Sequence, residues 1–415
     1  MKKKLLSLLL CVVMVAAVVC VLVACETGDY DYEITVWVGE GMKELTAKQI
    51  KDFNNNVNNC NPDGKVFKAT IQIQSESNAA GAMNGKPASD WPDIYCFAQD
   101  QMARLVTGER LQQLNGDSIA AIQANSSDGA IAAATVGDTI RAFPLTADNG
   151  FIMYYNKDII DESKVDITSL EELIAACESA KKYFAMNLAE AGGAWYSSSF
   201  FYAAGCHSEW TIDEDGKFTK FDDTFNSANG LIALQGMKKL LKSAWHLNSD
   251  KASTLSASTP SAVVISGVWD LKTAQDKLGK NLGIAKLPSY TVDGQTYNLQ
   301  SYLGYKFMGI KPQSNGEKSY YLQQLVTYLT GTDCQKARFD QQGWGPSDKS
   351  LVDLFEQSEA LKILKQTATI AQGQYPEGWW VDLVAVADSV KKSKDDSGFS
   401  GYLENYYSKL SGYVK

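Results

Sequence analysis

Apolar and polar positions change period repeatedly along the first hundred residues. Glu33–Val38 (EITVWV) alternates with a period of two, which predicts a buried strand. Gly39-Glu40-Gly41 breaks it, and Lys43–Phe53 then places Leu45, Ile50 and Phe53 on one face of a helix. Asn54–Asn61 and the turn Pro62-Asp63-Gly64 form a loop, after which Lys68–Gln74 alternates as a second strand. Pro92–Phe97 is a third strand, and Gln99-Asp100-Gln101 opens the helix behind it. Strand and helix in alternation predict an α/β fold, with a parallel sheet and crossover helices.

The middle of the chain is organised around Thr139–Asp158. Two strand-like runs, Thr139–Phe143 and Phe151–Tyr155, flank Pro144-Leu145-Thr146-Ala147-Asp148-Asn149-Gly150. Proline, glycine and short polar side chains there predict a sharp crossing between two lobes, with Asp148 and Asn149 exposed in the gap. Beyond it, Thr168–Ala180 reads as a helix capped by Thr168 or Ser169, and Tyr183–Asn187 as a strand. Asp215-Gly216 marks a hairpin turn, and Ala262–Ile265 and Leu282–Leu287 are further strands. Tyr302–Ile310 is a second crossing. Helices are expected at Asn226–Leu241, Tyr320–Leu329, Leu351–Gln357, Ala360–Ala371, Trp379–Lys391 and Tyr402–Leu410.

Met1-Lys2-Lys3-Lys4 followed by an apolar run to Ala24 describes a secretory leader. Leu22-Val23-Ala24-Cys25 resembles the bacterial lipobox, which implies that Cys25 becomes a diacylated first residue holding the protein at the outer face of the cell membrane. Loss of the three lysines with the leader would take the net charge from −9 to −12, which argues against a nucleic-acid partner. Cys60, Cys96, Cys177, Cys206 and Cys334 then remain, with spacings that suggest neither a disulfide framework nor a zinc site. The acidic run Asp213-Glu214-Asp215 lacks the other positions of a calcium loop, so no cofactor or metal is expected.

Several stretches carry a resemblance that spans most of the chain. Besides the crossing and its Tyr-Asn-Lys-Asp ending, they are Trp91-Pro92-Asp93-Ile94, Ala262–Trp269 (AVVISGVW), Gly283–Pro288 (GIAKLP) and Gly343-Trp344-Gly345-Pro346. In this order they resemble the family 1 extracellular solute-binding proteins, the maltodextrin-binding-like receptors of ABC importers. The resemblance implies a periplasmic-binding-protein-like fold of two discontinuous lobes joined by hinge strands. It places one lobe at 33–146 with 303–350 and the other at 147–302 with 351–415, after the leader 1–24 and a tether 25–32. It further implies an oligosaccharide ligand, an ABC permease as partner and a monomeric receptor.

Ligands of open α/β sheets bind beyond the carboxyl ends of the strands. The residues there are Trp37 and Glu40, Phe97 and Asp100, Asp148 and Asn149, Glu190 and Trp195, Trp269, and Trp379-Trp380. Indole faces suit the apolar face of a pyranose, and planar polar groups suit its hydroxyls. The resemblance places Phe97, Asp100, Glu190, Trp269 and one of Trp379 or Trp380 at sugar-touching positions. Phe97 stands where the maltodextrin receptor has Trp, and Gln101 where it has Arg. The crossing is one residue longer than in that receptor, so its ligand-facing carboxylate position falls on Asp148 or Asn149. Trp37 suits a core as well as a cleft, Trp344 reads as structural, and adjacent Trp379 and Trp380 cannot both face one side of a helix.

Catalytic signatures of the P-loop, zincin and nucleophile-elbow types do not occur, and His207 and His246 form no metal pattern. Carboxylate pairs alone would leave a hydrolase open; the whole-chain resemblance to receptors implies a binding protein rather than an enzyme. The alternatives are a secreted glycoside hydrolase using two carboxylates, and a receptor for a non-sugar solute.

Overall fold

The computed structural model describes residues 29–163, 165, 169–190, 192–256 and 260–415. The leader, Cys25 and Thr168 lie outside the described residues. The chain folds as mixed α/β around two five-stranded sheets, one in each lobe. The first sheet has the order Phe67–Ile73, Tyr32–Val38, Ile94–Ala98, Lys306–Ile310, Phe143–Thr146. Its first three strands are parallel, and Lys306–Ile310 runs antiparallel to both neighbours. The second sheet has the order His246–Leu247, Tyr183–Ala185, Ser261–Gly267, Phe151–Asn156, Leu282–Ala285. Here Phe151–Asn156 is the antiparallel member. In each sheet the odd strand is the one entered directly from the other lobe. Such a strand arrives from the far side of the cleft and has no crossover helix to reverse it.

One apolar core gathers Val36, Phe53, Ile94, Phe97, Met308 and Leu325 around the first sheet. Another gathers Phe151, Phe184, Phe201, Leu234, Trp379 and Leu383 on one face of the second sheet, and a smaller one lies on its other face around Tyr154, Val264 and Leu361. Strands buried on both faces need continuous apolar runs, which Ile94–Ala98 and Phe151–Tyr155 supply.

Four local readings change. The expected strand Thr139–Phe143 divides into a short hairpin, Thr135–Val136 with Thr139–Ile140, and a separate strand Phe143–Thr146. Pro144 therefore sits within a strand instead of breaking one. That strand is the edge of its sheet, where a missing N–H is tolerated. The helix expected at Ala360–Ala371 ends at Thr367, and Ala368–Ala371 forms a strand parallel to Ser301–Leu303. A helix Thr332–Gln342 and a hairpin Ser289–Val292 with Gln295–Asn298 are additional. The hairpin's Asp293-Gly294 turn, with φ of 50° and 79°, is a sequence signal that pattern reading passed over.

The helix Leu170–Ala180 begins in a capping box. Ser169 Oγ accepts from Glu172 N at 3.2 Å, and Glu172 Oε2 accepts from Ser169 N at 2.8 Å. Ser169→Ala is expected to lower stability by roughly 0.5–2 kcal/mol, measured by urea unfolding.

His246 offers a pH-dependent contribution. Its Nε2 lies 2.9 Å from Met186 O, and burial depresses the imidazole to about 4. The folded protein keeps this ring neutral where the unfolded chain takes up a proton. Stability is therefore unaffected above about pH 6.5 and falls by up to roughly 3 kcal/mol as pH drops toward 4. His246→Gln is expected to flatten that part of the urea midpoint–pH curve.

Candidate functional site

The chain passes between the lobes at Thr146–Phe151 and again at Leu303–Lys306, and side chains near these passages meet in three groups. The first is a polar network. Asp100 Oδ2 accepts from Gln101 Nε2 at 2.8 Å and from Arg104 Nη2 at 3.4 Å. Its Oδ1 accepts from Gln372 Nε2 at 3.3 Å, and Gln372 Oε1 accepts from Asn149 Nδ2 at 2.8 Å. Gln99 Nε2 donates to Gln372 O at 2.7 Å, and Arg104 pairs with Glu377 at the start of the Glu377–Lys392 helix. Burial raises the Asp100 carboxyl, while Arg104 pulls it back down. Gln372 thus ties together two residues singled out from the sequence.

The second group is charged and aromatic. Lys306 opens its strand at the second passage between the lobes and is 4% exposed. Its Nζ lies 4.7 Å from the ring centroids of both Trp269 and Trp344, and 3.6 Å from Glu76 Oε1. Trp269 follows Ser261–Gly267 in the second lobe, so this contact bridges the lobes. A Cβ on Gly267 would come within 2.2 Å of Trp269 Cη2; glycine alone lets the indole lie flat on the backbone. Asp148 stands beside this group, with Oδ2 accepting from Gly345 N at 2.7 Å. Burial raises its carboxyl, opposed chiefly by Lys306. Asp148 Oδ1, Thr146 Oγ1, Glu76 Oε1 and Trp344 Nε1 are buried without a hydrogen-bond partner among the described residues.

The third group is aromatic. Trp195 stacks on Tyr302 at 4.2 Å and 17°, and lies 6.1 Å from Trp380. Trp380 lies 5.1 Å from Tyr375, whose hydroxyl meets that of Tyr202 at 3.0 Å. Trp195 and Trp380 are half-buried, and neither Nε1 has a partner among the described residues.

Several candidates depart from expectation. Asp148 and Asn149, expected in the open gap, are 1% and 5% exposed. Phe97 is wholly buried between Tyr95 and Phe307 in the first core. Trp37 belongs to the same core and donates from Nε1 to Gln72 Oε1 at 3.0 Å. Trp379 is also wholly buried, stacked on Tyr375 at 4.2 Å with Nε1 donating to Ser208 Oγ. The Trp pair therefore divides, with residue 379 in the core and residue 380 at its edge. Glu40 and Glu190 are exposed and join none of the three groups. Glu76, Lys306, Tyr302, Gln372 and Tyr375 were not singled out from the sequence. Of these, only Lys306 carried a signal, as a lone cation at the head of an apolar strand.

One further contact joins the lobes away from these groups. The hairpin Ser208–Ile212 with Phe218–Asp223 presents its turn to the helix Met102–Thr107. Thr107 Oγ1 donates to Asp215 O at 3.2 Å, and Arg141 Nη2 to Glu214 O at 3.1 Å. Gly216, at φ +77°, brings the turn against Ala103 O, and a cavity of about 460 Å³ lies beside it. Asp213 Oδ1 accepts from Asp215 N and Lys217 N within the turn, and among the described residues no acidic, His or Cys cluster is placed to hold a metal. The five cysteines Cys60, Cys96, Cys177, Cys206 and Cys334 are free thiols.

Among the described residues no helix is long and apolar enough to cross a membrane. Solved structures share the fold. One containing acarbose matches at TM-score 0.75 and 22% identity, over 92% of this chain and 100% of that one. The ligand-free maltodextrin-binding protein MalE1 from L. casei BL23 matches at 0.72 and 19%, over 92% and 100%. Maltose-bound MalE3 from T. maritima matches at 0.70 and 18%, over 92% and 99%. No curated protein sequence matches. The profile of bacterial extracellular solute-binding proteins covers residues 48–396, most of the chain, and the chain belongs to that family.

Proposed function

We propose that this protein captures an oligosaccharide between its two lobes, without turnover, and delivers it to an ABC permease while a lipid on Cys25 holds it at the outer face of the cell membrane. The observation that carries the reading is the cluster around Lys306. There an indole from one lobe meets an ammonium and a carboxylate from the other, and four buried polar atoms have no hydrogen-bond partner among the described residues. Buried polar groups are costly unless paired, and sugar hydroxyls supply the missing donors and acceptors. The half-buried indoles of Trp195 and Trp380 offer further surface for a second ring.

The mechanism follows from the lobes. A ligand that touches both gains contacts only when they are shut, so its binding shifts the population toward that state. A calorimetric screen of glucans, fructans, xylans, mannans and polyols tests this, run with scattering on the same samples. Saturable binding with a smaller radius of gyration, and no release of reducing sugar, is the expected result. Release of reducing sugar points instead to a hydrolase. Cys25→Ser is expected to move the protein from the membrane fraction into the medium, as read by immunoblot of fractionated cells; unchanged membrane retention removes the lipid anchor.

A further inference from the structure

We infer that Lys306 is a specificity-determining residue of the cleft, an internal occupant of the indole face on which a sugar ring stacks. This rests on the oligosaccharide-binding reading above. Trp269 has two faces. Gly267 takes one, since a Cβ there would press into the ring at 2.2 Å from Cη2. Lys306 Nζ covers the other at 4.7 Å from the centroid. A ring joining this stack must displace the ammonium first.

The ammonium is held in a way that permits displacement. It donates no hydrogen bond among the described residues, and its ion pair with Glu76 is stretched to 3.6 Å. Its attraction to the two indoles is a cation–π contact, made with the same negative ring face that a pyranose C–H surface seeks. Glu76 Oε1 and Asp148 Oδ1 both stand nearby with no hydrogen-bond partner among the described residues, and a four-carbon stem lets the ammonium swing to either. Withdrawal from Trp269 therefore exchanges a cation–π contact for a charge-assisted hydrogen bond to one of the two carboxylates, and leaves the other to a sugar hydroxyl. The exchange takes place only when something apolar covers the vacated indole. Small polyols without a ring face do not meet that condition, whereas neutral pyranosides do. A ring bearing a carboxylate at this position would face Glu76 and Asp148 together, and is disfavoured.

The test is lysine-selective 13C labelling of the full protein, titrated with the neutral oligosaccharide that binds tightest by calorimetry. In the ligand-free protein the Lys306 methylene next to Nζ is expected to resonate upfield, shifted by the two indoles and identified by its loss in Lys306→Ala. On titration it is expected to lose about half of that shift, in step with calorimetric saturation. Lys306→Ala is expected to bind the same sugar up to about tenfold more tightly, less than a whole desolvated cation–π contact represents because the withdrawn ammonium regains part of it in its new hydrogen bond. A resonance that stays in place while binding saturates overturns the inference and leaves oligosaccharide binding intact. A weaker Lys306→Ala complex also overturns it, because Lys306 then serves the ligand rather than competing with it. If Lys306→Ala does not fold, the wild-type titration decides, with the resonance assigned through Lys306→Arg. If no oligosaccharide saturates the folded wild-type protein, the parent reading and this inference fall together.

Discussion

Alanine at Trp269 is expected to weaken oligosaccharide binding by roughly 1.5–3 kcal/mol, or ten- to more than a hundredfold, while leaving the fold intact. The indole projects from the end of the Ser261–Gly267 strand and is only partly buried, so its loss opens little core. Its value lies in offering the second lobe's flat surface to a ring held by the first. Gly267→Val provides an independent check. The new side chain occupies the space where the indole rests, so the ring must tilt out of its stack. Both variants are to be compared with wild type by calorimetry and by circular dichroism. Affinity unchanged in Trp269→Ala, with the protein folded, removes Trp269 from the site.

Alanine at Trp379 carries the largest expected loss of stability, roughly 3–5 kcal/mol. The ring is wholly buried, stacked on Tyr375 at 4.2 Å and packed near Phe225 at 6.2 Å. Its Nε1 donates to Ser208 Oγ at 3.1 Å, so truncation leaves both a cavity and a buried hydroxyl with a donor removed. Trp380→Ala, one residue on, is the matched contrast: a small change in urea midpoint and a larger change in ligand affinity. A stability loss at Trp380 equal to that at Trp379 contradicts the division between core and edge.

The order of strands and helices was legible because strands buried on both faces write themselves as apolar runs and amphipathic helices as a 3.6-residue period. Phe151–Tyr155 and Lys43–Phe53 are cases of each, and the structure holds both within a residue of the expected bounds. The departures have physical causes. Pro144 read as a breaker because its effect depends on whether the strand has a neighbour on that side, which only the folded sheet decides. Ala368–Ala371 continued an apolar helical pattern, and its pairing with Ser301–Leu303, far away in sequence, overrides that local preference. The candidate site was only partly legible. Strand ends pointed to Asp100, Asp148 and Trp269, but position along a strand does not say which way a side chain turns. Phe97 on its strand, like Trp379 on its helix, turns into a core. Gln372 gave no signal at all, because its role comes from two partners, Asp100 and Asn149, supplied by other segments.

The hairpin turn at Asp213–Lys217 has a consequence for how strongly this protein holds anything. Its grip on the first lobe runs through the carbonyls of Glu214 and Asp215, which belong to none of the three groups described above. A rim fastening of this kind is blind to what is enclosed. Tightening or loosening it rescales the dissociation constants of all guests by one common factor. The ranking of sugars is then written in the interior, and the overall tightness can drift at the rim without disturbing it.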